Sequence, residues 1–286
     1  MGGTVERVGV VGGGLMGAGI AEVCARAGVD VHVVEADDTA AAAARERIER
    51  SLGRAVDRGK LDATERDAAL ARLVTSTDLE ALADRDLVIE AIVESLEAKH
   101  GAFATLDRVL GDGAVLATNT SSLPIQQVAA ATGRPEWVVG LHFFNPAPVQ
   151  PLVEVIPSLS TSDACADRAE AFARDQLGKT TIRCADRAGF VVNALLVPYL
   201  LSAIRMLETG HATAEDIDTG MVYGTAHPMG PIALTDLVGL DTTLSVAEAL
   251  YEEFADPACA PPPLLRRMVE AGRLGKKAGR GFYDYR

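Results

Sequence analysis

Three glycines of "GGGLMG", Gly12, Gly14 and Gly17, stand in the G-x-G-x-x-G order. A glycine triplet by itself is equally a plain strand-to-helix turn. Here it follows an apolar run, Val8 to Val11, and opens a segment of helical spacing, Leu15 to Ala27. In that setting Gly12 permits a tight turn, Gly14 lets backbone approach a pyrophosphate, and Gly17 lets the helix pack closely on the sheet. A pyrophosphate would sit on the N–H groups of the helix start, at Leu15, Met16 and Gly17, and on its positive end. Glu35 lies eighteen residues after Gly17, at the end of "VHVVE". A carboxylate there accepts hydrogen bonds from ribose hydroxyls and repels a 2′-phosphate, so the expected cofactor is NAD rather than NADP. Asp37 competes for the same role. A second candidate is His142 in "GLHFFNP", one of five histidines, at the end of an apolar run that begins at Trp137. Imidazole titrates near ~6.5, which suits a general base. It equally suits a packed ring with both nitrogens satisfied, and its neighbours in sequence do not choose between the two.

The elements that must position these groups alternate along the first two-thirds of the chain. Strands are expected at 8–11, 31–35, 86–93, 114–119, 137–143, 152–156 and 180–184. Helices are expected at 15–27, from Asp37 or Asp38 to near Gly59, at 62–72 with Asp62 as cap, at 95–110 and at 163–177. Strands alternating with helices predict a parallel, doubly wound sheet. Past Asp186 only helical segments follow, at about 189–209, 213–221, 231–238, 241–254 and 263–271. The expected fold class is therefore α/β: a Rossmann-type doubly wound domain, 1–185, followed by a smaller all-helical domain, 186–286.

Composition excludes several classes. The 286 residues are 48% hydrophobic and 23% charged, ordinary for a globular chain with a sizeable core. A net charge of −13 argues against nucleic acid as the main partner, because phosphate backbones need a cationic face. The apolar stretch 190–204 carries Asn193 and Pro198 and is too short to span a membrane. The N-terminus lacks the pattern of a signal peptide, and Val5 and Glu6 spoil a myristoylation motif at Gly2. Cys24, Cys165, Cys184 and Cys259 are widely spaced, which predicts reduced thiols, no metal site and a cytoplasmic location.

Seven stretches in this order, "GGGLMGAGIAEVCARAG", "NTSSLPI", "GLHFFNPAPV", "LVEVI", "AGFVVNALLVPYL", "HPMGPIALTDLVGLDT" and "GRGFYDY", carry a more specific signal. They are spread along nearly the whole chain, which resembles the 3-hydroxyacyl-CoA dehydrogenases, and among them the single-chain 3-hydroxybutyryl-CoA type. The resemblance implies an NAD-binding domain, a helical domain that dimerises, and an acyl-CoA substrate oxidised or reduced at C3. It implies that His142 is the general base and that Glu154 bonds its other ring nitrogen, which would fix the tautomer and stabilise the imidazolium. It gives Ser121 and Asn193 the substrate oxygen, where their donors would stabilise developing negative charge. It places Asn119, Glu94 and Lys99 on the nicotinamide half of the cofactor, and Ser51, Arg54, Arg58 and Lys60 on the CoA nucleotide. Bland readings stand beside these. Asn193 also suits a helix–helix hydrogen bond, Ser122 could replace Ser121, and exposed Arg and Lys on helices are usually only solvated. His32, His100, His211 and His227 read as surface or structural residues. The same chemistry on a carrier-protein-bound acyl group or a free hydroxy or sugar acid, or a non-catalytic NAD-binding relative, are the alternatives. The departures from the family pattern are Glu35 where Asp is common, "GGG" for Gly-Ala-Gly, and the residues around Gln150 and Pro151.

Overall fold

Short runs of valine, leucine and isoleucine flanked by glycine and polar turns can bury both faces only in the middle of a sheet. The computed structural model, which describes residues 4–286, builds them that way. The expectation about Gly2 lies outside the described residues. The chain divides into two compact units, the first ending at Asp186 and the second beginning at Arg187.

In the first unit β1 (Arg7–Val11) leads into α1 (Leu15–Arg26), and β2 (Asp30–Val34) leads into the long α2 (Asp38–Asp57). The cap of α2 is Asp37, whose Oδ1 accepts from Ala40 N at 2.8 Å. Next comes α3 (Ala63–Ala71), opened by a reciprocal box in which Asp62 accepts from Glu65 N and Glu65 accepts from Asp62 N. Caps of this kind stabilise a helix by about 1 kcal/mol each. The chain continues through β3 (Leu73–Ser76), β4 (Leu87–Glu90), α4 (Leu96–Val109) and β5 (Val115–Thr118). It then runs through α5 (Ile125–Ala129), β6 (Val138–Phe143), β7 (Leu152–Ile156), α6 (Asp163–Ala171) and β8 (Thr180–Arg183).

The eight strands lie in the order β3-β2-β1-β4-β5-β6-β7-β8. The order reverses between β1 and β4, and the crevice outside the carboxyl ends of such a pair is where open α/β sheets bind ligands. One expectation needs correction: the sheet is not wholly parallel, because β7 runs antiparallel to β6. Only residues 144–151 join the two, fewer than a parallel crossover requires. β8 is again parallel to β7.

Three further differences are small in extent. β4 stops at Glu90 instead of continuing to 93, because the Glu90 carboxylate accepts Ile92 N at 2.7 Å and draws it out of the ladder. The helix expected over 163–177 is α-helical only to Ala171 and closes with a wider turn in which Leu177 N donates to Phe172 O. β3 and α5 were not expected; each is too short to show a period, and α5 is started by Asp186, which accepts from Ile125 N and Gln126 N at 2.8 Å each.

The second unit is helical: α7 (Val192–Glu208), α8 (Ala214–Thr225), α9 (Pro231–Val238), α10 (Leu240–Phe254) and α11 (Pro263–Glu270). Leu201, Ile204, Ile232, Leu240, Leu250 and Leu265 form its core. The tail "GRGFYDY" returns to α9, where the fully buried Asp236 accepts from Phe282 N, Tyr283 N and Tyr285 OH. Asp218 does similar work, accepting from Ile232 N, Ala233 N and Tyr283 OH. These carboxylates satisfy backbone donors that no ladder serves, which explains a motif that chemistry leaves unused. Among the described residues no helix is long and apolar enough to cross a membrane.

Candidate active site

The glycine turn is built as its spacing suggests. Gly12 has φ +90, and a side chain there would come within 2.8 Å of Ala91 O. Gly17 packs against the carbonyl of Gly12, which lets α1 start flush with the sheet. Around Gly14, by contrast, a Cβ would meet no protein atom within 4 Å among the described residues, so the space is open to a ligand. Among those residues no side chain caps α1, and its first turn carries no acidic group. These features fit a pyrophosphate on the N–H groups of Leu15, Met16 and Gly17.

Glu35 follows β2 directly and braces the turn by accepting Gly13 N at 2.6 Å. Arg47 of α2 donates to Gly13 O at 2.6 Å, so a guanidinium shares this corner. Asp37 is spent on capping α2, which leaves Glu35 as the ribose candidate. Replacing Glu35 by serine is expected to cut the NADH-over-NADPH preference by about tenfold or more, since the repulsion of a 2′-phosphate goes and Arg47 stays. Unchanged kcat/KM ratios for the two coenzymes would defeat the assignment.

The second group forms at the carboxyl end of β6. His142 and Glu154 are directly opposed across the antiparallel β6–β7 pair. Opposed residues project on the same face, so a separation of twelve positions turns into one side-chain contact. His142 Nδ1 lies 2.7 Å from Glu154 Oε2, and Nε2 lies 3.0 Å from Ser121 Oγ. The histidine is 4% exposed and the glutamate 0%. A carboxylate only accepts, so Nδ1 carries the hydrogen and the lone pair of Nε2 faces Ser121. Phe144 packs edge-on against the imidazole at 4.6 Å and restrains its plane.

Ser121 rides on the segment after β5, held by Glu94. One oxygen of that carboxylate, Oε1, accepts from Thr120 Oγ1 at 2.5 Å, Ser121 N at 2.9 Å, Ser122 N at 3.1 Å and Ser122 Oγ at 3.0 Å. Ser122 thereby turns to Glu94, whereas Ser121 turns to the histidine. Burial pushes the Glu94 carboxyl up, but the charge of Lys99 and the bonds from Thr120 and Ser121 outweigh it and hold it below the usual range. The Lys99 ammonium is internal, bonded to Glu90 at 2.7 Å and Glu94 at 3.2 Å. Asn119 Oδ1 accepts Phe143 N at 2.8 Å and ties the end of β6 to β5.

The first unit thus brings together Ser121, His142 and Glu154, with Asn119, Glu94 and Lys99 around them. Asn193 belongs to the second unit, in the first turn of α7. Ser51 and Arg54 lie on the last turns of α2, Arg58 caps it and Lys60 follows; all but the half-buried Ser51 are exposed. Ser51 and Arg54 are neighbours of the buried Glu22 carboxyl of α1, which burial raises and Ser51, Arg26 and Arg54 lower. Three of the other four histidines have plain partners: His32 bonds Ser76 Oγ, His100 bonds Gln127 O and His227 bonds Tyr199 OH. Glu90 and Thr118 belong to the site's support and were not anticipated. The available signal was an acidic residue closing the apolar strand "LVIE", the same pattern that singled out Glu35 in "VHVVE".

Comparison with known proteins agrees with this geometry. Residues 7–187 match the family model "3-hydroxyacyl-CoA dehydrogenase, NAD binding domain" and residues 189–285 the model "3-hydroxyacyl-CoA dehydrogenase, C-terminal domain". A 3-hydroxybutyryl-CoA dehydrogenase from Mycobacterium tuberculosis is 61% identical over 98% of this chain and 99% of its own length. The human mitochondrial hydroxyacyl-coenzyme A dehydrogenase is 44% identical over 99% of this chain and 92% of its own. The crystal structure of (S)-3-hydroxybutyryl-CoA dehydrogenase from Ralstonia eutropha superposes with a TM-score of 0.93 at 44% identity, covering 99% of this chain and 100% of that one. With a glycine turn shaped for a dinucleotide, a histidine braced by a carboxylate and both family models matched end to end, the chain belongs to the 3-hydroxyacyl-CoA dehydrogenases, NAD-dependent oxidoreductases.

Proposed function

We propose that this enzyme interconverts short-chain (S)-3-hydroxyacyl-CoA and 3-ketoacyl-CoA, with 3-hydroxybutyryl-CoA and acetoacetyl-CoA as the pair. The observation that carries the reading is the hydrogen-bonded line Ser121–His142–Glu154 at the carboxyl end of the sheet that carries the glycine turn. NAD, when bound, takes up or gives back the hydride at C3. His142 Nε2 removes the proton of the 3-hydroxyl, and Glu154 holds the ring and stabilises its charged form. Ser121 hydrogen-bonds the substrate oxygen and favours the charge it gains in the reduction direction; the family resemblance gives Asn193 the same task. Glu94 and Asn119 are assigned to the nicotinamide half, and Lys99, whose ammonium is turned inward to Glu90 and Glu94, serves that half through Glu94. Ser51, Arg54, Arg58 and Lys60 supply the donors for the CoA nucleotide.

The short-chain preference follows the 61% identical relative, which is named for the hydroxybutyryl thioester. We assign residues 1–185 to cofactor binding and 186–286 to substrate binding and dimerisation. The exposed apolar side chains of Leu195, Met206, Tyr223 and Leu237 support a homodimer formed through the helical unit of a cytoplasmic protein, which sedimentation tests.

The deciding assay follows NADH oxidation with acetoacetyl-CoA and longer homologues, then with NADPH, and then with a 3-ketoacyl carrier-protein thioester and free keto acids. Turnover confined to the CoA thioesters is expected. Turnover only on a carrier thioester or free acid would move the substrate class. NADH binding without consumption would make the chain a silent relative.

A further inference from the structure

Glu90 is fully buried at the end of β4 and saturated with donors. Its Oε1 accepts from Lys99 Nζ and Ile92 N, both at 2.7 Å, and its Oε2 accepts from Thr118 Oγ1 at 2.7 Å. Lys99, 1% exposed, spans from there to Glu94 Oε2, while Glu94 Oε1 gathers four donors from residues 120–122. Thr118 forms a second, shorter route, since its Oγ1 also accepts Thr120 N at 3.2 Å. Both routes end on the irregular segment whose middle residue, Ser121, contacts His142.

We propose that Glu90 is a positioning residue for Ser121, acting through Lys99–Glu94 and through Thr118. The inference rests on the reading of Ser121 as the substrate-oxygen contact. Its physical basis is the segment 120–122 itself, which lies outside helix and strand beyond the last ladder bond, from Asn119 N to Glu90 O. The backbone N–H groups of Ser121 and Ser122 share a single carboxylate oxygen. That carboxylate keeps its direction only while Lys99 draws on its other oxygen, and Lys99 stays inside only because Glu90 receives it. A carboxylate and an ammonium both withdrawn from water, Glu90 and Lys99, with the partly exposed Glu94 on the ammonium's other side, are a poor way to fill a core; apolar side chains of equal volume would serve stability as well or better. What the ionic arrangement supplies is direction. A misplacement of about 1 Å at a reacting group can cost ~100-fold in rate even when its origin is remote.

The test is Glu90→Gln, close in shape but uncharged, made in the parent protein and in Ser121→Ala. Active protein is counted by NADH titration before kcat and KM are measured with acetoacetyl-CoA. In the parent, kcat should fall about 10-fold with KM changed less than ~2-fold, the pattern of a contact made in the transition state. In the Ser121→Ala background the same change should cost less than ~2-fold, because the side chain whose aim limits kcat is then gone. Equal losses in both backgrounds would show general support of the fold and overturn the proposal. Normal turnover of Ser121→Ala alone would overturn it differently, by removing the serine from the site. If Glu90→Gln does not fold, Thr118→Val is read the same way: a smaller loss of kcat that vanishes in Ser121→Ala supports the route, and a loss that persists refutes it.

Discussion

Replacing His142 by alanine is expected to lower kcat by about 100-fold or more, with the protein still folded and still binding NADH. The size follows from what the ring does. In the proposed mechanism its Nε2 takes the proton as hydride leaves C3, and the 2.7 Å bond to Glu154 favours the neutral tautomer in which that nitrogen is unprotonated. Alanine removes both the base and its orienter's purpose, and leaves Ser121 Oγ without the acceptor it has at 3.0 Å. Cofactor binding should survive, because Gly12, Gly14, Gly17 and Glu35 follow β1, open α1 and follow β2 on one side of β4, whereas His142 is on β6, beyond β5 on the other side. Stopped-flow NADH oxidation with acetoacetyl-CoA, beside a fluorescence titration with NADH, separates the two effects. Turnover near that of the parent protein would remove His142 from the chemistry. Loss of NADH binding would mean that the ring is a packing element of the sheet.

Gly17→Ala is expected to have the second largest effect, and it acts on the cofactor instead. A methyl group there would fall within the carbonyl oxygen of Gly12 and 2.9 Å from its carbonyl carbon. Both are backbone atoms of the turn that receives the pyrophosphate, so no side chain can swing aside. Overpacking against side chains usually costs about 1–3 kcal/mol. Against fixed backbone the cost falls at or above that range, and about 3 kcal/mol taken from the site corresponds to ~100-fold in NADH affinity. Gly14→Ala is the control. Its methyl meets no described protein atom within 4 Å, so the melting temperature should hold, and any loss of NADH binding reports on the ligand's approach. Wild-type NADH affinity in Gly17→Ala would show that the start of α1 does not set the site.

The legible parts of this protein are those whose physics is local. The glycine turn, the acidic end of β2, the caps at Asp37 and Asp62 and the strands that bury both faces are each specified by residues a few positions apart. The switch to an all-helical second unit shows as a change of period near Asp186. Glu90 announced itself in "LVIE" as Glu35 did in "VHVVE", yet its meaning depends on α4 bringing Lys99 back over the end of β4. Three things belong to tertiary structure alone. The reversal of β7 places Glu154 opposite His142, and the register of that pair makes a contact of two residues twelve apart. The side-by-side ends of β4, β5 and β6 carry Glu94, Ser121 and His142 to one place. Short β3 and α5 exist because neighbours complete them: β2 pairs β3, and Asp186 satisfies the first N–H groups of α5. Residue type and spacing determine which groups could do chemistry, whereas distance and direction between groups on different strands come from pairing, and pairing is a property of the closed sheet rather than of any segment in it.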